Sequence, residues 1–170
     1  MTIIKTLTED EVARMLGLIE SLESSWGPHE KFGGSPLSRV NDSAGETIWL
    51  HYREDGNWRK PDEPSALELI TVLESYRDMI MPHATFGRAY IHRLKPGKTV
   101  TRHKDVYHPA YFSVVKRHQV YFDIPEKCEI ESGSLIMKNS VVLFDHSSFH
   151  SYTNNGDRDL IFIVFDLLPV

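Results

Sequence analysis

The chain has a single cysteine, Cys128. An intramolecular disulfide is therefore impossible, and a zinc site built on several thiolates is excluded. No apolar run approaches the roughly 20 residues that a membrane-crossing helix needs. The opening segment, MTIIKTLTEDEVARMLG, lacks the apolar core of a secretory leader, because Glu9, Asp10 and Glu11 interrupt it. Positive charge is not in excess. With 19 Lys+Arg against 24 Asp+Glu the formal net charge is −5, so nucleic acid is not an expected partner. Internal repeats and low-complexity tracts are also missing. These absences lead to the expectation of a cytoplasmic protein that binds neither membrane nor nucleic acid.

What remains is an ordinary globular composition, 170 residues with 41% hydrophobic and 25% charged. That length suits one domain with one sizeable core, spanning 1–170. Thr8 followed by Glu11 has the capping-box spacing, and Val12, Met15, Leu16, Ile19 and Leu22 recur at helical intervals, so 9–24 is expected to be an amphipathic helix. GPHEKFGGSPLSRVNDSAGE reads as loop, and TIWLHYRE as a strand. SALELITVLESYRDMIM predicts a second helix with Leu67, Ile70, Leu73 and Tyr76 on one stripe. From position 86 the pattern changes to short β-rich runs: GRAYIHRL, TVTRH, RHQVYFDIP, CEIES, SLIMKNS, VVLFD, FHSYTNNGD and LIFIVFDL. Strands at this spacing predict an antiparallel sandwich or barrel. The expected fold class is α+β, a helical N-terminal part (1–85) packed on a jelly-roll core of about 86–170.

Nine histidines are many for this length, and five fall between His103 and His150. In TRHKD, His103 and Asp105 lie two apart, which on a strand puts them on one face. An isolated H-x-D is commonly a surface ion pair. A third ligand changes that reading, and His150 lies within another expected strand. Two histidines and a carboxylate with open positions form the facial triad of non-haem Fe(II) oxygenases. His146 is the rival for the distal ligand. Arg158 follows across the turn TNNGD, and a hairpin there would return it beside the metal strand, where a guanidinium can hold a carboxylate through two hydrogen bonds. His29, His51 and His83 are expected to be structural. His118 should point away from Arg117. Asp145 and Asp166 are expected at strand ends.

GRAYIHRLKPGKTVTRHKD, then KRHQVYFDIP, then VVLFDHSSFHSYTNNGDRDLIFIVFDLLP resemble the aspartyl/asparaginyl β-hydroxylase family of 2-oxoglutarate- and Fe(II)-dependent dioxygenases, over roughly 87–169. The resemblance implies a double-stranded β-helix (cupin-like) core with His103, Asp105 and His150 on Fe(II). It assigns Arg117 to 2-oxoglutarate, puts Gln119 where the family often has histidine, and puts His92 where a small polar residue usually meets the cosubstrate. Arg158 stands two residues closer to the distal histidine than the family's arginine, whose ungapped match is Leu160. Asn139 replaces an expected glycine, and asparagine is the best substitute at a left-handed turn. The implied reaction consumes 2-oxoglutarate and molecular oxygen and hydroxylates an amino acid, free or within a peptide or protein. It needs no catalytic side chain beyond the metal ligands. Two alternatives stay open: a cupin-like metal-binding module without redox turnover, and a zinc hydrolase on the same three ligands, which would need a general base.

Overall fold

The computed structural model describes residues 3–28, 45–54, 57–105, 109–134 and 136–170. In chain order these form β1 (Ile3–Thr6), α1 (Glu9–Glu20), β2 (Gly27–Pro28), β3 (Gly45–Glu54), β4 (Asn57–Arg59), α2 (Pro64–Ile80), β5 (Thr85–Leu94), β6 (Lys98–His103), α3 (Pro109–Phe112), β7 (Lys116–Tyr121), β8 (Cys128–Glu131), β9 (Ser140–Phe144), β10 (His150–Asn154) and β11 (Leu160–Leu168).

The two long helices start where their chemistry dictates. The Thr8 side chain accepts from the Glu11 N–H while the Glu11 carboxylate accepts from the Thr8 N–H, and three acids sit in the first turn of α1, facing the positive end of its dipole. Pro64 opens α2, where its missing N–H costs nothing. The buried stripe of α2 is Ala66, Leu69, Ile70, Leu73 and Tyr76. Ile70, Leu73 and Tyr76 lie on the stripe as expected, while Leu67 is 42% exposed and Ala66 takes its place in the first turn.

The strands form two sheets. The larger has the order β1-β9-β7-β11-β5-β3-β2, with β4 on β3, and the smaller is β6-β10-β8; all the pairings are antiparallel. One core lies between the helices and the larger sheet, and includes Ile163, Phe165 and Leu167 of β11. The other lies between the two sheets and includes Leu160, Phe162 and Val164 of the same strand, with Tyr121, Val142 and Tyr152. Both faces of β11 are therefore buried, which is why LIFIVFDLL reads as a continuous apolar run and not as an alternation. Each such side chain contributes about 1.5–3 kcal/mol on burial.

Two expectations need correction. The N-terminal part is not only helical: β1 pairs with β9, and β3 pairs with β5. Among its described residues SLIMKNS is not a strand of its own: a turn at Lys138–Asn139 precedes β9, which takes only Ser140 from this run. Asn139 has φ 53°, the left-handed position expected of it, and Gly97 in KPGK has φ 75°. No helix among the described residues is long and apolar enough to cross a membrane.

Candidate metal centre

His103 ends β6 and stands opposite His150, the first residue of β10. Between this pair and the next, Tyr152 with Val100, the register slips by one residue. Val100 and Tyr152 both face the core between the sheets. Strict alternation would then turn His103 outward. The slip re-aims it, so that His103 and His150 present their rings to each other with centroids 4.3 Å apart. Asp105 is not on the strand, contrary to the expectation of an i, i+2 pair. It lies just beyond β6, where its N–H donates to the His146 carbonyl at 3.0 Å. One ligand atom from each of His103, Asp105 and His150 lies within 4.8 Å of the others.

Backbone contacts settle both imidazole tautomers. His103 Nδ1 meets the Thr101 carbonyl at 2.7 Å and His150 Nδ1 meets the Ser148 carbonyl at 3.1 Å. A carbonyl only accepts, so each Nδ1 carries the proton and each Nε2 keeps its lone pair. These Nε2 atoms face Asp105, at 3.4 Å for His103 and 3.7 Å for His150. Burial pushes the His150 imidazole towards its neutral form, against the pull of Asp105. Burial also raises the Asp105 carboxyl, but the Arg117 guanidinium holds it well below the usual carboxylate range. Two neutral nitrogens and one carboxylate suit Fe(II).

Arg117 donates from Nη1 to Asp105 Oδ2, from Nε to Asp166 Oδ1 at 2.8 Å and from Nη2 to Asp166 Oδ2 at 2.9 Å. Asp166 is fully buried, and its Oδ2 also accepts from the Tyr111 hydroxyl at 2.9 Å. This corrects the expectation that Asp166 merely closes a strand. A lone acid in the run LIFIVFDLL, at the parity of Phe162 and Val164, was the available signal, because a buried carboxylate needs a partner.

Below this group the space between the sheets is aromatic. Tyr121 Oη donates to Gln119 Oε1, and Gln119 Nε2 donates to Tyr152 Oη at 3.2 Å. Burial drives the Tyr152 phenol up to about 12, so it stays a donor. His92 packs on Phe162 with centroids 5.1 Å apart. Phe162 lies four residues along β11 from Asp166, roughly 13 Å by strand rise. The His92 ring lies against Gly45, where a Cβ would come within 2.3 Å of Cε1.

Arg158 does not join the centre. It sits in the turn after Asn154, at the far end of β10 from His150, with its side chain 53% exposed and ion-paired to Asp123. The expected hairpin does not form: β10 belongs to the smaller sheet and β11 to the larger, so the turn carries the chain from one sheet to the other. His146 is also absent from the cluster, and its Nε2 donates to the Phe112 carbonyl at 3.0 Å. His118 points away from Arg117 and stacks on Phe165. His29 and His108 lie outside the described residues.

No curated protein matches the chain. Among solved structures it is similar to an oxidoreductase of the 2OG-Fe(II) oxygenase family from Burkholderia pseudomallei, with 13% identity over 94% of this chain and 79% of that one and a TM-score of 0.60. It is similar to a Pseudomonas putida prolyl-4-hydroxylase, with 12% identity, coverage of 99% and 91%, and a TM-score of 0.58. A viral collagen prolyl hydroxylase from Paramecium Bursaria Chlorella virus-1 has 13% identity, coverage of 94% and 91%, and a TM-score of 0.53. At such identities the likeness establishes the double-stranded β-helix fold. Residues 33–169 match the family described as aspartyl/asparaginyl beta-hydroxylase. The chain therefore belongs to the aspartyl/asparaginyl β-hydroxylase family, among the 2-oxoglutarate/Fe(II)-dependent oxygenases.

Proposed function

We propose that the protein holds Fe(II) on His103, Asp105 and His150 and, with 2-oxoglutarate and molecular oxygen, hydroxylates an amino acid, free or as a residue in a peptide or protein. The observation that carries this reading is the convergence of the three ligand atoms within 4.8 Å, with both imidazoles turned by backbone carbonyls to offer Nε2. When bound, Fe(II) would supply the activation of oxygen, coupled to oxidation of the cosubstrate. The chain's own side chains bind and orient. His103 and His150 are fixed in one tautomer, and Asp105 is kept ionised.

Arg117 is buried and hydrogen-bonded to two carboxylates, so its part in cosubstrate binding runs through Asp105. For the far carboxylate of 2-oxoglutarate we propose neutral donors on the inner faces of the sheets: Gln119, Tyr121, Tyr152 and His92. Several hydrogen bonds can stabilise a buried carboxylate without a full counter-charge. Arg158, exposed and paired with Asp123, has no part in this proposal.

A zinc hydrolase would need a free base beside the metal. The second carboxylate of this group, Asp166, has both oxygens engaged by Arg117 and Tyr111. The test is Fe(II)-dependent conversion of 2-oxoglutarate to succinate, followed by mass spectrometry of a panel of free amino acids and short peptides for gain of one oxygen. His103→Ala and His150→Ala should each abolish succinate formation, while His146→Ala keeps it. Metal binding without succinate under any condition would leave the module without redox turnover as the reading.

A further inference from the structure

We infer that Asp166 is a positioning residue for the metal: it fixes the Arg117 guanidinium, which in turn fixes the Asp105 carboxylate in its orientation beside the two imidazoles. The inference rests on the functional reading above and adds to it a hydrogen-bonded line from one sheet to the other.

The line is continuous in the structure. Tyr111 Oη donates to Asp166 Oδ2, Asp166 accepts two parallel hydrogen bonds from Arg117, and Arg117 Nη1 reaches Asp105 Oδ2. Its two inner members are closed to solvent, with side-chain exposures of 0% for Asp166 and 4% for Arg117. The two-point contact through Nε and Nη2 sets the plane of the guanidinium and hence the direction of Nη1. Asp105 needs such a guide. It lies beyond the end of β6, outside the strand ladder, and its backbone is tied by one hydrogen bond to the His146 carbonyl. Held by Arg117 through Oδ2, the carboxylate presents Oδ1 to His103 Nε2 at 3.4 Å, with Oδ2 also 3.7 Å from His150 Nε2. A ligand carboxylate held through its second oxygen keeps its orientation whether or not the metal is bound, so less order has to be created on binding.

The β-strand supplying Asp166 also explains why this guide is stiff. Asp166 lies in β11, which pairs with β5 on one side and β7 on the other, and Arg117 of β7 is its direct cross-strand neighbour. Ladder and side-chain contacts therefore reinforce each other. The smaller sheet, which carries the two histidines, has no such central strand with both faces buried.

The experiment is a titration of Co(II) and Mn(II) into the full chain, with the Co(II) electronic spectrum as a reading of ligand geometry and a melting curve for each variant. Asp166→Asn should raise the Kd by about 10- to 100-fold and shift the Co(II) bands, the range that follows loss of an outer partner of a metal ligand. Tyr111→Phe leaves the Asp166 charge in place and removes one hydrogen bond; it should weaken binding by a few-fold with the fold intact, and carries the test if Asp166→Asn does not fold. In an Asp105→Ala background, Asp166→Asn should add no further loss of metal affinity, because its route to the metal is gone. A lower melting temperature with unchanged affinity and spectrum in both single variants would overturn the proposal, as would a full further loss in the Asp105→Ala background. Failure of the functional reading looks different: the unaltered chain would then bind no metal that His150→Ala removes.

Discussion

The two sheets divide the work of the site unequally. The smaller sheet, β6-β10-β8, brings His103 and His150 face to face through a register slip, and Asp105 follows its first strand. The larger sheet supplies no ligand but holds Arg117 and Asp166 on adjacent central strands. The smaller sheet is covered on one face only: Glu131 and Arg102 are exposed and pair across its surface at 2.8 Å. The larger is covered on both faces by two separate cores. The groups that would touch the metal thus sit on the more open side, and the groups that orient them sit where side chains move least.

The sharpest way to break this contrast is at Arg117. Arg117→Met leaves Asp166 buried with one hydrogen bond from Tyr111 and no counter-charge, and should cost about 3–5 kcal/mol of unfolding free energy in urea. Arg117→Met with Asp166→Leu removes both charges and should recover most of that loss while the metal affinity stays low. Recovery of metal affinity as well would show that the larger sheet contributes only stability.

His118, on the opposite face of β7 from Arg117, gives a pH-dependent version. Burial lowers its imidazole to about 4, against 6.5 in the unfolded chain. Between these values the unfolded state binds more protons, so stability falls as pH drops from about 6.5 to about 4, by roughly 3 kcal/mol in total. His118→Phe, which keeps a ring on Phe165, should make the fall of the melting temperature over that window shallower, leaving the part due to His51 and His150, whose imidazoles burial also lowers. The loss linked to Asp105 lies lower, below the ordinary carboxylate range, and should persist in this variant. An unchanged slope between pH 6.5 and 4 would mean that His118 is solvated in the native state.

A smaller effect is expected between the sheets. Tyr121→Phe removes the hydrogen bond to Gln119 and should cost about 1 kcal/mol, read by denaturant unfolding, and weaken 2-oxoglutarate binding to the Mn(II) protein. The smallest effect is in the turn between β10 and β11. Arg158→Ala should leave both the melting temperature and 2-oxoglutarate affinity unchanged, since its partner is the exposed Asp123. A large rise in the Kd for 2-oxoglutarate in Arg158→Ala would return that arginine to the site.

Much of the architecture is legible in the sequence, for stated reasons. Alternation and turn residues mark the strands from position 86, and the capping box marks α1. The spacing of H-x-D and the later histidine selects residues that the fold does bring together. Three features were hidden. The slip in β6 is a property of pairing, not of either strand alone, so strand parity misjudged how Asp105 is presented. TIWLHYRE reads as a strand, but β1 and β3 find partners more than 30 residues away, β9 and β5, and local pattern cannot announce a sheet completed from a distance. Arg158 lies away from the site because the turn after β10 leads into the other sheet instead of folding back on β10, and sequence cannot tell a hairpin from a crossing between sheets. Asp166 was legible in principle, as a charge inside a run buried on both faces.

The contact of Gly45 with His92 ties two positions 47 residues apart into one choice. With a Cβ at 45 falling 2.3 Å from the His92 ring, a side chain at the first position requires that ring to move from its place on Phe162. A change at 45 is therefore easiest beside a smaller side chain at 92. Across a set of homologous sequences, a glycine at 45 should travel with a ring at 92, and a bulkier residue at 45 with a small polar one at 92. Inheritance at one end of this pair of strands would then record which side chain packs on Phe162 at the other.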